Sequence, residues 1–382
     1  MNTLYDKNSV VCLMAPTASG KTALAYELYD TGQFELVSVD SALIYRDMNI
    51  GTAKPSADEL AQYPHHLVDI IDPTQQYSVA DFVADVDTLI AQIHRRGKIP
   101  LLVGGTMMYY MSLFDGISNI PDSDAGIRAK VEAKRQEEGI HALHDYLTQV
   151  DPAMAQRLSV NDTQRITRAV EVYMQTGQPL SVWQQTPKVA LANNPEQQWH
   201  ALIVTPDRAW LHQRIAKRLD IMWQQGLVEE VISLIEQYPL SRQMPSMRCV
   251  GYRQVLDYLQ NIEHPVMDLL MDATASLSQV CQEKLTTTYK HDRMCTIQKE
   301  KMSLSLTKLS PKNNDIPPSV ACQDMKNKAL YATRQLAKRQ FTWLRKFEQL
   351  DCFTNTLTQC SKSRIKTFDD VQELKKFMDT SI

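Results

Sequence analysis

The residues most able to do chemistry lie near the start of the chain, in Ala15-Pro16-Thr17-Ala18-Ser19-Gly20-Lys21-Thr22. This is the pattern of a phosphate-binding loop, in which backbone N–H groups and a helix N-terminus face anionic oxygens. Lys21 adds a point charge, and the Thr22 hydroxyl could sit on Mg²⁺. The motif needs a strand before it and a helix after it, and Val10–Met14 and Lys21–Tyr29 read as those elements. Ala15 stands where such loops usually begin with glycine. A left-handed backbone there would cost roughly 1–2 kcal/mol, whereas an extended one would cost little. The extended conformation is expected at the end of a strand.

Two more short segments offer chemistry. Ser38-Val39-Asp40-Ser41-Ala42-Leu43-Ile44-Tyr45 follows an apolar run, and Gly104-Gly105-Thr106 follows another. Asp40 could ligate Mg²⁺, accept a proton from a nucleophile, or do both; capping a helix is the plainer use of such an aspartate. Thr106 follows two glycines that let backbone approach a ligand closely, and it too could be no more than a cap. Arg214 and Arg218 are four residues apart and share one helix face. They form a solvated cationic face or close on a phosphate group.

These segments need a scaffold that brings them together. Val10–Met14, Glu35–Asp40, Ile99–Val103 and Trp199–Thr205 read as buried strands, and Asp81–Arg95 has helical periodicity. Strands alternating with helices predict an α/β fold, a P-loop NTPase-like parallel sheet core with an inserted helical domain. In such a sheet the loops at the carboxyl ends of neighbouring strands gather at one edge, where ligands bind. The core is expected over 1–114 and 195–260. The polar helical stretch 115–194 is the insertion, with helices over Asp124–Gly139, His141–Val150 and Thr163–Gln175. A further helical stretch, Asp207–Gln237, is interrupted at Gly226. Residues 261–328 form an atypical segment, with loop or disorder expected around Ser310–Ser319 and order returning at Ala329. A basic helical segment is expected over 329–382.

Composition narrows the function classes. No apolar run approaches the roughly 20 residues of a membrane helix, and the N-terminus lacks signal-peptide character. No membrane association is expected, and the cytoplasm is the simplest compartment. The seven cysteines never fall at Cys-x-x-Cys spacing, so neither a zinc site nor a disulfide framework is indicated. The formal net charge of -3 does not advertise a nucleic-acid binder. Any such contact must come from locally concentrated cations.

The segments then assemble into a recognisable series. After the phosphate loop and Ser38-Val39-Asp40-Ser41 come Gly51-Thr52-Ala53-Lys54-Pro55, Pro64-His65-His66-Leu67-Val68-Asp69 and Tyr77-Ser78-Val79-Ala80-Asp81-Phe82. Val103-Gly104-Gly105-Thr106, Gln164-Arg165-Ile166-Thr167-Arg168-Ala169, Arg248-Cys249-Val250-Gly251-Tyr252-Arg253 and Thr333-Arg334-Gln335-Leu336-Ala337-Lys338-Arg339-Gln340 complete it. The series resembles the bacterial tRNA dimethylallyltransferase (tRNA isopentenyltransferase) family, over about Val10–Gln260 and Ala329–Phe347. The resemblance implies transfer of a dimethylallyl group from dimethylallyl diphosphate to the exocyclic amine of the adenosine 3′ of the anticodon. The phosphate loop is then implied to hold a diphosphate leaving group, with Mg²⁺ on Thr22 and Asp40. Asp40 is implied to be the base, and Thr106 to contact the reacting centre or the diphosphate.

The same resemblance implies tRNA contacts, to the anticodon stem-loop, from Asp40, Ser41, Ala42 and Leu43, and from Arg128. It further implies contacts from Gln164, Arg165, Ile166, Thr167 and Arg168, and from Arg248, Cys249, Val250, Gly251, Tyr252 and Arg253. Lys338, Arg339, Gln340, Phe341, Thr342, Trp343, Leu344 and Arg345 complete that set. The residues themselves agree with part of this. Arg334–Phe347 contains Arg334, Lys338, Arg339, Arg345 and Lys346, with Arg334, Lys338 and Arg345 on one side of a helix and Leu336, Trp343 and Phe347 on the other. A helix docked by its apolar face and presenting cations outward suits phosphates. Arg248–Arg253 mixes cationic, small and aromatic residues, fit to stack on a loop base and hold its backbone. The target adenine must leave its stack to reach the catalytic loops. Rival readings are a P-loop kinase of a small metabolite, a prenyltransferase acting on free adenine nucleotides, and an RNA-binding protein with a vestigial loop. A monomer is expected. The segment 261–328 is much longer than the family's corresponding connection.

Overall fold

The structure is a computed structural model describing residues 5–118, 120–186, 188–271, 318–347, 349–350 and 364–379. It divides into two compact units, Met1–Tyr110 with Pro195–Ile382, and Met111–Asn194.

The first unit is built on strands β1 (Ser9–Met14), β2 (Phe34–Val39), β3 (His65–His66), β4 (Ile99–Gly104), β5 (Gln198–Val204) and β6 (Arg364–Phe368). They form one sheet in the order β3-β2-β4-β1-β5-β6, and each adjacent pair is parallel. β1 and β4 are buried along their whole length, as continuous apolar runs require in a sheet covered on both faces. Helices α1 (Lys21–Asp30), α2 (Ala57–Gln62) and α3 (Val79–Arg95) connect β1 to β4 in turn, and α4 (Met107–Phe114) follows β4. α3 starts where Ser78 and Asp81 cap each other's backbone and buries Phe82, Val86, Ile90 and Ile93 on one side. One core cluster joins Val11, Leu13, Leu24 and Leu28 to Leu36, Leu101, Leu202 and Phe368.

The second unit carries α5 (Ala125–Val150), α6 (Pro152–Arg157), α7 (Thr163–Thr176) and α8 (Leu180–Trp183). α5 is broken at Gly139, whose φ of 85° and ψ of 171° are not helical. Its core is Val131, Leu143, Leu147, Met154, Ile166, Val170 and Leu180.

Past β5 the first unit continues with α9 (Arg208–Gln224), α10 (Leu227–Gln237) and α11 (Tyr252–Asn261). Gly226, at φ 95°, separates α9 from α10, as expected. Helix α12 (Pro318–Phe347) begins at Pro318 rather than at Ala329. A proline is tolerated in a first helical turn because its missing N–H has no intrahelical partner there. Of the atypical segment, 261–271 is ordered and includes a short turn of helix, Pro265–Leu269; residues 272–317 lie outside the described residues. The C-terminal region is not wholly helical: β6 pairs with β5 and is followed by α13 (Val371–Asp379). No helix among the described residues is long and apolar enough to cross a membrane.

Candidate active site

The phosphate loop leaves the end of β1 and enters α1. Ala15 is fully buried and is not among the residues with positive φ, so its side chain is accommodated. The left-handed positions are Ala18 (φ 63°) and Gly20 (φ 94°). An alanine in that region costs roughly 1–2 kcal/mol, which the surroundings must offset. Two helices do so. Arg214 of α9 donates from Nε to the Ala18 carbonyl (2.8 Å), with its guanidinium over the Trp210 ring. Gln340 of α12 accepts from the Thr17 N–H (3.1 Å). The Ser19 Oγ is buried without a hydrogen-bond partner in the loop, a polar atom left for a ligand.

Cations concentrate at this loop. Lys21 donates to the Pro16 carbonyl (3.4 Å). Burial, and then the nearby Arg218, lower its pKa to about 8, while Asp40 opposes them. Arg218 is itself pushed down, first by burial, with Arg214 adding to the effect and Asp40 again opposing it. Lys21, Arg214, Arg218 and Asp40 are therefore one electrostatic group. An anion would relieve the repulsion among its cations.

The second and third loops meet beside it. Thr106 accepts from the Ser41 N–H through its Oγ1 (3.0 Å), and its own N–H donates to the Val39 carbonyl (3.1 Å). Asp40 Oδ1 accepts from the Ala42 N–H (2.9 Å), which fixes the carboxylate at the turn Asp40–Leu43. A Cβ on Gly104 would lie 2.0 Å from the Val39 carbonyl oxygen, so this junction of β2 and β4 admits only glycine. Thr22 is exposed at the head of α1 and Asp40 half-buried. A hydroxyl and a carboxylate are hard oxygen donors of the kind Mg²⁺ takes together with phosphate oxygens and water. Among the described residues no group of three or more His, Cys, Asp or Glu side chains could hold a metal by itself. A magnesium ion here would depend on substrate oxygens.

The Gly51–Pro55, Pro64–Asp69 and Arg248–Arg253 segments hold one another. Glu230 of α10 accepts from the N–H groups of Asn49 (3.0 Å), Ile50 (2.6 Å) and Gly51 (3.1 Å), and from the Tyr252 hydroxyl (2.6 Å). Gly51 is needed because a Cβ would lie 2.5 Å from the Tyr252 ring. Lys54 pairs with Asp69 and donates to the Tyr45 carbonyl (2.7 Å). Asp47, Ala53, Leu67 and Asp69 in this stretch all have positive φ, and such strain persists only where neighbours impose it. Nothing in the sequence marked Glu230 among the many glutamates.

The residues implied for tRNA separate by exposure. Ser41, Arg128, Gln164, Arg165, Arg248, Arg253, Lys338, Arg339, Thr342 and Arg345 are exposed, while Ala42, Leu43, Thr167, Cys249, Val250 and Trp343 are half-buried. Burial pushes the Cys249 thiol up to about 12, so it is no thiolate. The side chains of Ile166, Tyr252, Phe341 and Leu344 are buried, which leaves them no surface for RNA; Gly251 is buried too. Arg168 is half-buried, donating to the Pro121 carbonyl (2.8 Å) and facing Glu171. On α12 the inward face is Ala337, Gln340, Phe341, Leu344 and Phe347 rather than Leu336, Trp343 and Phe347. Arg334 is half-buried, with its Nε enclosed and unpartnered, so the outward cations are Lys338, Arg339, Arg345 and Lys346.

With this geometry in place, comparison with known proteins decides the family. The model of the IPP transferase family matches residues 43–347. The chain belongs to that family. Its relatives include the tRNA dimethylallyltransferase of Psychrobacter sp. (strain PRwf-1), 57% identical over 98% of this chain and 96% of the relative. That of Acinetobacter baumannii (strain ATCC 17978) is 46% identical over 91% of this chain and 94% of its own. Among solved structures, the tRNA isopentenylpyrophosphate transferase of Bacillus halodurans is 28% identical, covers 98% of this chain and 94% of its own, and has a TM-score of 0.54. A eukaryotic dimethylallyltransferase acting on tRNA is 20% identical over 98% of this chain and 77% of its own, with a TM-score of 0.65, and shares the fold. The family match starts beyond Asp40, and the phosphate loop before it lies within the stretch aligned with the Psychrobacter relative, which covers 98% of this chain.

Proposed function

We propose that this protein transfers a dimethylallyl group from dimethylallyl diphosphate to the exocyclic amine of the adenosine 3′ of the anticodon in tRNA, releasing diphosphate. The observation that carries the reading is the meeting of loops. Thr106 and Ser41 are hydrogen-bonded, and Asp40 next to them shares an electrostatic group with Lys21 and Arg218 at the phosphate loop. One side of that group suits a leaving anion and the other suits an amine losing a proton.

In the reaction the allylic C–O bond breaks and its electron pair leaves on the diphosphate. The amine nitrogen forms the new C–N bond, and its proton passes to the Asp40 carboxylate. Lys21, Arg214, Arg218 and the loop N–H groups stabilise the departing charge where it develops. Magnesium held by Thr22 and Asp40 would neutralise phosphate oxygens. Thr106, fixed on the Ser41 N–H, aligns the amine or the diphosphate. Exposed Arg128, Gln164, Arg165, Arg248, Arg253, Lys338, Arg339 and Arg345 would take the anticodon stem-loop, largely through its phosphates. The protein works as a monomer in the cytoplasm, where its tRNA is.

The test is to incubate the protein with Mg²⁺ and either labelled dimethylallyl diphosphate or labelled ATP, offering unmodified tRNA or AMP as acceptor. Label should move from the prenyl donor to tRNA alone. Turnover of AMP without tRNA would favour the free-nucleotide enzyme, and phosphoryl transfer from ATP without prenylation would sink the proposal.

A further inference from the structure

We propose that Gln340 is a positioning residue for the diphosphate site, a buried amide that sets the spacing between the phosphate loop and the Gly105–Thr106 loop. The proposal rests on reading Ala15–Thr22 as the diphosphate cradle. Gln340 sits in the most cationic stretch of the chain, between Arg339 and Phe341, where it looks like one more RNA contact. Its side chain points the other way. It is 7% exposed, accepts from the Thr17 N–H through Oε1 (3.1 Å) and donates from Nε2 to the Gly105 carbonyl (2.8 Å). Only one orientation of the amide satisfies both partners; flipping it would set N–H against N–H and oxygen against oxygen.

The two bonds span the ends of adjacent strands. Met14 of β1 is paired with Gly104 of β4, the Ala15 N–H donates to the Gly104 carbonyl (3.4 Å), and the two loops follow. The amide ties the loops together again three residues along the first and one residue along the second. Gly105 is shaped to this contact, because a Cβ there would lie 2.6 Å from Gln340 Nε2. Arg214 holds the loop one residue further on, at the Ala18 carbonyl. The strained Ala18 is thus fixed between a guanidinium from α9 and an amide from α12. Removing one leaves a loop whose N–H groups no longer point together, and misplacement of that kind is costly at a preorganised site.

The experiment uses the full chain with Gln340→Ala, Gln340→Glu, Gly105→Ala and the Gly105→Ala/Gln340→Ala pair. Three quantities are read: the Kd of inorganic diphosphate with Mg²⁺ by calorimetry, kcat/KM for dimethylallyl diphosphate, and the Kd of unmodified tRNA. Gln340→Ala should weaken diphosphate binding and lower donor kcat/KM on the order of tenfold, with tRNA affinity within about twofold. Gln340→Glu keeps the acceptor but sets oxygen against the Gly105 carbonyl, and should be at least as impaired. Gly105→Ala should copy the defect by displacing the amide. The pair should be no worse than either single change, since the space left by the amide takes the new methyl group. Wild-type diphosphate affinity in the Gln340 variants would overturn the proposal, as would a loss confined to tRNA affinity or strict additivity in the pair. If the wild-type protein itself fails to bind diphosphate, the reading of the cradle falls first and this one with it. Should Gln340→Ala not fold, the Glu and Gly105 variants decide.

Discussion

In the proposed reaction the phosphate loop and the outward half of α12 both take phosphate oxygens, yet they are built in opposite ways. The loop presents backbone N–H groups on a strained path, with φ of 63° at Ala18, and depends on Arg214 and Gln340 to keep it. Helix α12 presents Lys338, Arg339 and Arg345 on ordinary helical backbone and in the open. The first suits a small leaving group whose charge must be met at fixed points. The second suits a long polyanion that can be held by many weak, salt-sensitive contacts. A single change should be enough to ruin the loop, whereas the helix should degrade by increments.

The largest effect should come from Asp40→Ala, which removes the proposed proton acceptor. Single-turnover prenylation should fall roughly a hundred- to ten-thousand-fold while tRNA affinity is kept; near-normal rates would dismiss Asp40 as the base. Next is Lys21→Met, expected to cost roughly a hundred- to a thousand-fold in kcat, as loss of one anion-stabilising donor does. Lys21 also gives the loop a pH signature. In the free protein burial and Arg218 put its pKa at about 8. Diphosphate favours the charged form, so donor kcat/KM should fall as pH rises through about 8. Lys21→Arg should remove that alkaline limb. A profile flat to pH 10 in the wild-type protein would contradict the assignment.

The helix should respond more softly. Replacing Lys338, Arg339 and Arg345 together by glutamine should weaken tRNA binding and flatten its dependence on salt. Each lost phosphate contact should lower the log–log slope by roughly 0.7–0.9. Donor binding should hold steady, and an unchanged salt slope would take the helix out of the interface. The smallest effect is expected of Ala15→Gly. Ala15 needs no left-handed backbone, so added freedom should only lower stability, by about 0.4–1 kcal/mol in denaturant unfolding, with activity within about twofold. A clear gain in activity would mean that the missing glycine matters after all.

The same contrast explains what could be read from the residues alone. Apolar runs gave away β1, β2, β4 and β5, because a strand covered on both faces is mostly apolar. The phosphate loop was legible because its chemistry belongs to backbone, glycine and one lysine at fixed spacing. β3 has two residues, both histidine, and β6 is a largely exposed edge strand, so neither carries a buried-strand pattern. The inward face of α12 escaped for another reason. Basic and apolar residues alternate closely around Ala337–Phe347, and the neighbours that bury Gln340 and Phe341, such as Gly105 and Arg208, lie far away in sequence. Glu230 is the same case, a carboxylate whose meaning comes from three N–H groups about 180 residues earlier.

In the proposed reaction the anion cradle at Ala15–Thr22 and the Asp40–Thr106 pair make a single prenyl-transfer site, an arrangement open to direct measurement. It is tested most directly by mass spectrometry of nuclease fragments from unmodified tRNA incubated with the protein, Mg²⁺ and dimethylallyl diphosphate, with released diphosphate measured in the same tubes. One five-carbon prenyl unit is expected on the adenosine 3′ of the anticodon for each diphosphate released, with both signals lost together in Asp40→Ala and in Lys21→Met. Diphosphate release without prenylated adenosine, or prenylation that survives loss of Lys21, would contradict it.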